Sequence, residues 1–541
     1  MGIGLHTTVA RALSGFWPQI GPQIGPQIGP QDSRNSKTGL EPFHYRRRTS
    51  RAAASRAHSL LGLALSPDSD SGILGDNKTS FATVDLLGLT TPNSRVSLNT
   101  GASVTADASG SFLFSNLPLN GATQFTASLG SGSSQASPQF TITIRQQPRD
   151  PENPVLTWNA VALRTLRRDQ AGSLEASRSL AILHAALFDA VNGLSPAPSH
   201  SYRPLPPSPN GSAEAAAAGA AHRVLTQLYP NQATALDAAL ASSLDQIQAD
   251  QAAEQAGVAF GARVADALLT ERSQDGSNRQ RPFQPRLQPG SWRPTPPRFL
   301  AAAVPQWVQV KPFLLRSGSQ FRPAAPPQLT SAIYAHDLNQ VKRLGQLESR
   351  DRTAQQTATA RFWLGNAGSL TFPGLWNLAA ADLLANSTSP TATLLDQARL
   401  FSQLNLALAD AGIAAWDTKY AYQSWRPITA IRLAGSDGNP ATRPDPTWQS
   451  LLETPAHPDY VSAHSTYAGA ASVVLDRFFG QVRPRFTSLD FPGPQRSFAS
   501  FARAADQAGL SRIYGGIHTR SANRQGLQLG QKIGRYVLRQ L

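Results

Sequence analysis

The 541-residue chain contains no cysteine, and its one methionine is Met1. Disulfides, thiolate zinc and iron–sulfur sites, cysteine nucleophiles and thioether haem ligands are therefore excluded together. Charged residues make up only 15% of the chain, and no apolar run reaches the ~18 residues a membrane span needs. There is no His-Glu-x-x-His, no Gly-rich phosphate loop after a strand and no Gly-x-Ser-x-Gly nucleophile pattern. Any chemistry falls to residues such as His, Asp, Lys and Arg.

What is present is basic. The formal net charge is +15, a balance that favours anionic partners: nucleic acid, acidic surfaces or small oxyanions. Residues 1–60 hold eight Lys or Arg against two acids, Asp32 and Glu41. The run Arg46–Arg48 lacks the aromatic interleaving of a nucleic-acid site and reads as a solvated tail. No nucleic-acid partner is expected.

Composition divides the chain into four stretches. Residues 1–74 read as a disordered, low-complexity basic tail, with a PQIG tetrapeptide repeating from Pro18. Within it, SLLGLAL has the outline of a secretion signal displaced from the start. Residues 75–147 alternate with period two between turn signals and predict a small antiparallel sandwich. The text DASGSFLFSNLPLNGATQFTASL resembles bacterial immunoglobulin-like modules, which implies a location outside the cytoplasm, secreted or periplasmic. Residues 148–154 form a linker, and 155–541 carry apolar residues at three and four spacing, the pattern of an α-helical domain. A Pro-rich section, 282–327, is expected to wrap the helices as irregular chain.

Three segments near the C-terminus carry chemistry. In the first, Lys419 and Arg426 lie two helical turns apart, with Trp416 on the same face and Pro427 ending the helix. The second runs from His457 to Ser465. A helix is expected to start near Ser462, and its free N–H groups and dipole form an anion cradle beside His464. In the third, the Gly515-Gly516 pair breaks a helix so that Arg512 and His518 both turn inward. Each segment alone has a bland reading: a solvated basic face, a serine cap, a helix end.

In this order, Lys-x6-Arg-Pro, Ser-x-His and Ser-Arg-x3-Gly-x-His resemble the signature of the vanadium-dependent haloperoxidases and the related type 2 phosphatidic acid phosphatases. ADAGIAAWDTKY, WRPITAIR and SRIYGGIH are similar to the bacterial haloperoxidase branch in particular. The resemblance implies a mainly α protein, a large helical-bundle domain of the vanadium haloperoxidase type behind the small β-sandwich. It implies vanadate as cofactor, ligated by His518 and held by Lys419, Arg426, Ser462, the Ala463 N–H and Arg512, with His464 as the acid/base. Hydrogen peroxide, a halide and small organic molecules would be the reactants. Trp416 and His457 match positions beside the halide, where a histidine resembles the bromide enzymes and points to bromide or iodide over chloride. A homo-oligomer is compatible with the sequence.

Two departures bear on this. Ala463 stands where the family has glycine, and its methyl crowds the oxyanion. Ala522 stands where an Asp often orients the last histidine, so nothing obvious raises the basicity of His518. A phosphatase needs that nucleophile more than vanadate ligation does, which ranks haloperoxidase above acid phosphatase. The third alternative is an inactive binding homologue. The lack of thiols and thioethers suits an enzyme exposed to peroxide and hypohalous acid, which attack those groups first. Replacing several surface leucines with Met should therefore shorten the lifetime during turnover; equal lifetimes would trace the absence to composition alone.

Overall fold

The computed structural model describes residues 61–541, apart from 73, 131–137, 148–152, 197, 207–209, 387–391, 489–490 and 492–494. The expected disordered tail up to residue 60, and most of the expected linker, lie outside the described residues.

Strands come first: β1 (Gly62–Leu65), β2 (Lys78–Thr79), β3 (Thr83–Leu89), β4 (Arg95–Leu98), β5 (Ser103–Thr105), β6 (Ser111–Pro118), β7 (Ala122–Leu129) and β8 (Gln139–Gln146). They form a three-stranded sheet, β1-β3-β6, and a five-stranded sheet, β2-β8-β7-β4-β5. Alternation decides which side chains face inward. Phe112, Phe114 and Leu117 of β6 are buried while Ser111, Leu113 and Ser115 are exposed. They share one core with Phe125, Ile142 and Ile144 of the other sheet. The β region thus begins at Gly62, earlier than the expected 75. The apolar Leu63 and Leu65 are core residues of a strand paired to β3.

The β region is tied to the helices at its start. Arg167 and Arg168 of α1 (Pro154–Arg168) both bridge to Asp68, Arg164 donates to the Asp70 carbonyl, and Leu74 enters the helical core. Asn153 caps α1 by accepting from Val155 and Leu156 N–H, and Pro154 occupies the first turn, where its missing N–H costs nothing.

The helical domain continues with α2 (Ser173–Asn192), α3 (Ala213–Leu228), α4 (Ala233–Leu244), α5 (Gln251–Arg272), α6 (Ala332–Gly345), α7 (Ala354–Phe362) and α8 (Thr371–Asn386). It is completed by α9 (Leu394–Tyr422), α10 (Pro427–Arg432), α11 (Ala463–Phe479), a short β9–β10 hairpin (Arg485–Phe486 with Arg496–Ser497), α12 (Phe501–Tyr514) and α13 (Arg520–Val537). At 29 residues, α9 is about 44 Å long at 1.5 Å per residue. It packs against α2, α11 and α13 and is buried on nearly every side, so its text is apolar all round rather than striped. Its buried Asp410 accepts the N–H groups of Phe313, Leu314 and Leu315. That clamp holds the Pro-rich chain, which has little regular structure, against the bundle.

The α11–α13 contact sets the distance on which the site depends. A Cβ built on Gly530 would meet the Thr466 carbonyl oxygen at 2.0 Å, and one on Gly526 the Ser462 carbonyl oxygen at 2.6 Å. Hydrogen in place of a side chain lets the two backbones touch beside the start of α11. Gly530→Val should destabilise the folded domain by about 1–3 kcal/mol through overpacking, read as a lower melting temperature. An unchanged melting temperature would show that the helices separate freely.

Candidate active site

Most of the candidate residues are delivered by helix ends, and His457 by the loop before α11. Trp416 and Lys419 sit on the last turns of α9. That helix stops at Tyr422, with Gln423 in the left-handed region at φ 51°. Pro427 disfavours helical backbone in the residue before it, and Arg426 is extended at φ −79°, ψ 155°. Lys419 and Arg426 therefore do not share a helical face, as their spacing suggested. They converge because the chain turns between them. Ser462 caps α11, its hydroxyl accepting from Ser465 N–H, and helix geometry leaves the Ala463 N–H without an intrahelical acceptor. Arg512 lies in the last turn of α12; Gly516, at φ 77°, turns the chain so that His518 points back at Arg426.

Three cations are buried together. Lys419 Nζ donates to the carbonyls of Pro458 at 2.7 Å and Asp459 at 3.1 Å. Arg426 donates from Nε to His457 O at 2.6 Å and from Nη1 to Ile517 O at 2.7 Å. Arg512 donates from Nη2 to Ala360 O at 3.0 Å. Among the described residues no carboxylate forms an ion pair with any of them. Burial, then the Arg426 charge, holds the Lys419 ammonium well below the ordinary lysine range. Burial also lowers Arg426 to about 10 and Arg512 to about 9. The pocket carries positive charge that its own groups do not neutralise.

The histidines are neutral in this field. Burial, then Arg426 and Lys419, keeps His518 well below the usual histidine range. For His464 the causes are burial, then Arg512; for His457, burial, then Lys419 and Arg426. His518 places Nδ1 2.6 Å from Asp459 Oδ1, so Nδ1 carries the proton and donates it to the carboxylate. Its Nε2 lone pair is left facing Arg426 Nη1 at 3.2 Å. Thr519 Oγ1 donates to the other Asp459 oxygen at 2.9 Å. Burial raises Asp459 to about 6 against the opposing pull of Arg426 and Lys419. His464 Nε2 lies 2.8 Å from the Leu364 carbonyl. A carbonyl only accepts, so Nε2 is the protonated nitrogen and Nδ1 holds the lone pair. His457 stacks on Trp416 with ring centroids 4.7 Å apart and receives Arg426 Nη2 at 2.9 Å on Nδ1.

Asp459 corrects the expectation drawn from Ala522. The carboxylate that orients the last histidine is present, but it comes from the loop before α11 instead of the first turn of α13. With it falls the sequence ground for ranking a phosphatase lower, since His518 has the partner that raises a histidine's basicity. Asp459 stands between His457 and Ser462 in the sequence, at a position to which the motif spacing assigns no role. Thr519, directly after His518, is a hydroxyl donor that the motif pattern does not include.

The description "VCPO second helical-bundle domain" matches residues 399–541, a span that contains every candidate above. The vanadium chloroperoxidase of Curvularia inaequalis is 28% identical over 408 residues, 60% of this chain. The match spans 66% of that relative, just under two thirds of its length. A bacterial vanadium-dependent iodoperoxidase superimposes with a TM-score of 0.62 at 28% identity, covering 73% of this chain and 98% of that one. The C-terminal bundle thus matches a vanadium chloroperoxidase family model, and the chain is similar to the vanadium haloperoxidases in sequence and fold. A holo-type bacterial vanadium-dependent chloroperoxidase, at TM-score 0.54 and 18% identity over 68% of this chain and 93% of that one, shares the haloperoxidase fold.

Because the pocket has surplus buried charge, a tetrahedral oxyanion should stabilise it. Phosphate at a hundred times its dissociation constant should add about 2.7 kcal/mol, seen as a raised melting temperature that chloride at equal ionic strength does not reproduce. Arg512→Ala should lose most of that shift. Equal shifts with both anions would mean that the pocket does not select an oxyanion.

Proposed function

We propose that this protein is a vanadate-dependent haloperoxidase, oxidising halide with hydrogen peroxide to hypohalous acid, which then halogenates small organic molecules. The observation that carries the reading is the convergence of Lys419, Arg426 and Arg512, buried and paired with carbonyls, around the free nitrogen of His518. Such a set suits a highly charged oxyanion: three donors of positive charge and a neutral imidazole that needs no deprotonation to ligate. Bound vanadate supplies a Lewis acid that activates peroxide for two-electron oxidation without changing its own oxidation state.

The chain's own groups divide the remaining work. His518 Nε2 would ligate the metal, and Asp459, fixed by Thr519, locks the tautomer that keeps this nitrogen's lone pair available. The three cations would hold the oxygens of the bound oxyanion, with Ser462 and the Ala463 N–H at the start of α11 adding donors. His464, kept neutral by burial and by Arg512, takes the proton from incoming peroxide. The overall reaction, H2O2 + X− + H+ giving HOX + H2O, takes one net proton from solvent, while the proton His464 removes from peroxide is returned to the water that leaves. His457 and Trp416, stacked beside Arg426, form the halide cradle. Bromide or iodide is favoured over chloride. The iodoperoxidase among the similar structures supports that preference, and the fungal chloroperoxidase sets the contrary precedent. The strands at 62–146 are read as an immunoglobulin-like spacer with no part in the chemistry.

The deciding assay is bromination of a dye by purified protein with peroxide and bromide, with and without vanadate. A vanadate-dependent rate that vanishes in His518→Ala is the expected result. Phosphomonoester hydrolysis by vanadate-free protein, with no bromination on loading, would establish the acid phosphatase reading that Asp459 makes chemically reasonable. Asp459→Asn should weaken vanadate binding about 10–100-fold, the usual cost of losing a ligand's hydrogen-bond partner. His457→Ala should reduce bromide turnover while leaving vanadate affinity nearly unchanged, and unaltered halide kinetics would remove His457 from the cradle.

A further inference from the structure

Asp459 is a wall shared by two spaces. Besides holding His518, it lines a separate cavity of about 210 Å³ to which Trp416, His457, His464 and the three buried cations contribute nothing. The chemistry of this cavity is the reverse of the oxyanion pocket. Its aromatic lining consists of Tyr334, Tyr422, Trp425 and Tyr460, with four prolines among its other walls. The charged side chains that line it are two carboxylates, Asp337 and Asp459, and no Lys, Arg or His reaches it. In a chain of net charge +15, a cavity with acids and no bases is a selective feature.

The two acids are not equivalent. Asp459 is committed on both oxygens, to His518 and Thr519. Asp337, 4% exposed, accepts the Ser521 N–H on Oδ2 at 2.8 Å, while Oδ1 has only the His336 ring at 3.5 Å. Asp337 therefore retains acceptor capacity. The Tyr334 hydroxyl, buried beside Asp437 and the Trp425 indole, finds no hydrogen-bond partner of good geometry. Aromatic faces attract cations, and a carboxylate fixes the charged end.

We propose that this cavity binds a small organic cation, a primary amine on an aromatic or short apolar body. Its ammonium meets Asp337, and its body lies among Tyr334, Tyr422 and Trp425. The volume falls below the ~300–1,000 Å³ of drug-sized sites, which limits the ligand to about the size of phenethylamine. Because Asp459 closes one side, an occupant sits next to the residue that orients His518 without entering the halide approach.

Calorimetric titration of the full-length protein at neutral pH tests this with three probes of similar shape. Phenethylamine should bind with one-to-one stoichiometry, 2-phenylethanol roughly tenfold more weakly or worse, and 3-phenylpropionate not at all. Asp337→Asn, with its fold checked by circular dichroism, should bring the amine down to the affinity of the alcohol. Comparable binding of amine, alcohol and acid, or no saturable amine binding at millimolar concentration, would overturn the proposal. So would full amine affinity in a folded Asp337→Asn protein. The wild-type series decides the matter even if the variant fails to fold.

Discussion

Positive charge without local compensation is the constraint around which the C-terminal half of the domain is arranged. Lys419, Arg426 and Arg512 are at most 2% exposed, and removing an ion from water costs several kcal/mol even after relaxation. Main-chain carbonyls of Pro458, Asp459, His457, Ile517 and Ala360 absorb part of that cost. A carbonyl supplies a dipole, not a counter-charge, so the cations stay oriented but unneutralised. Asp459, the carboxylate nearest to them, is directed at His518. The protein thus keeps its one nearby anion for tautomer control and leaves the positive field for a ligand.

Holding such a field requires a stiff scaffold, and the packing supplies it. The long α9 is enclosed by α2, α11 and α13 and ends where Lys419 must stand. Glycines at 526 and 530 let α13 close on α11, bringing the chain around His518 against the helix start at Ser462. The loop between α7 and α8 completes the enclosure, since Leu364 fixes the His464 ring while Ala360, at the end of α7, holds Arg512. The site is therefore assembled from helix ends that a continuous, dry interior keeps in register. Its residues span 416–518, although contacts from 360 and 364 are needed to finish it.

Much of this was legible in the text, for physical reasons that differ from element to element. The β region announced itself through period two, and α11 through a serine cap before small and apolar residues. The nine candidate residues could be named because their types and order are unusual together. Three features escaped. Gly62–Leu65 read as part of the tail because four apolar residues have no distinguishable period. The turn at Gln423 was hidden because a left-handed glutamine carries no compositional mark, so Lys419 and Arg426 seemed to share a helix. Asp459 was overlooked because an orienting carboxylate was sought after His518 along the chain, and three-dimensional proximity brought it from fifty-nine residues earlier. Main-chain carbonyl partners such as Leu364 leave no trace in side-chain text at all.

The most direct test of the account is the stoichiometry and residue dependence of vanadate binding, measured by equilibrium dialysis of purified protein with 51V nuclear magnetic resonance of the bound species. The account predicts one tightly held vanadate per chain, with a bound resonance distinct from free vanadate that is lost in His518→Ala while the fold persists. Binding that survives in His518→Ala with an unchanged resonance, or no bound vanadate in wild-type protein, would contradict it.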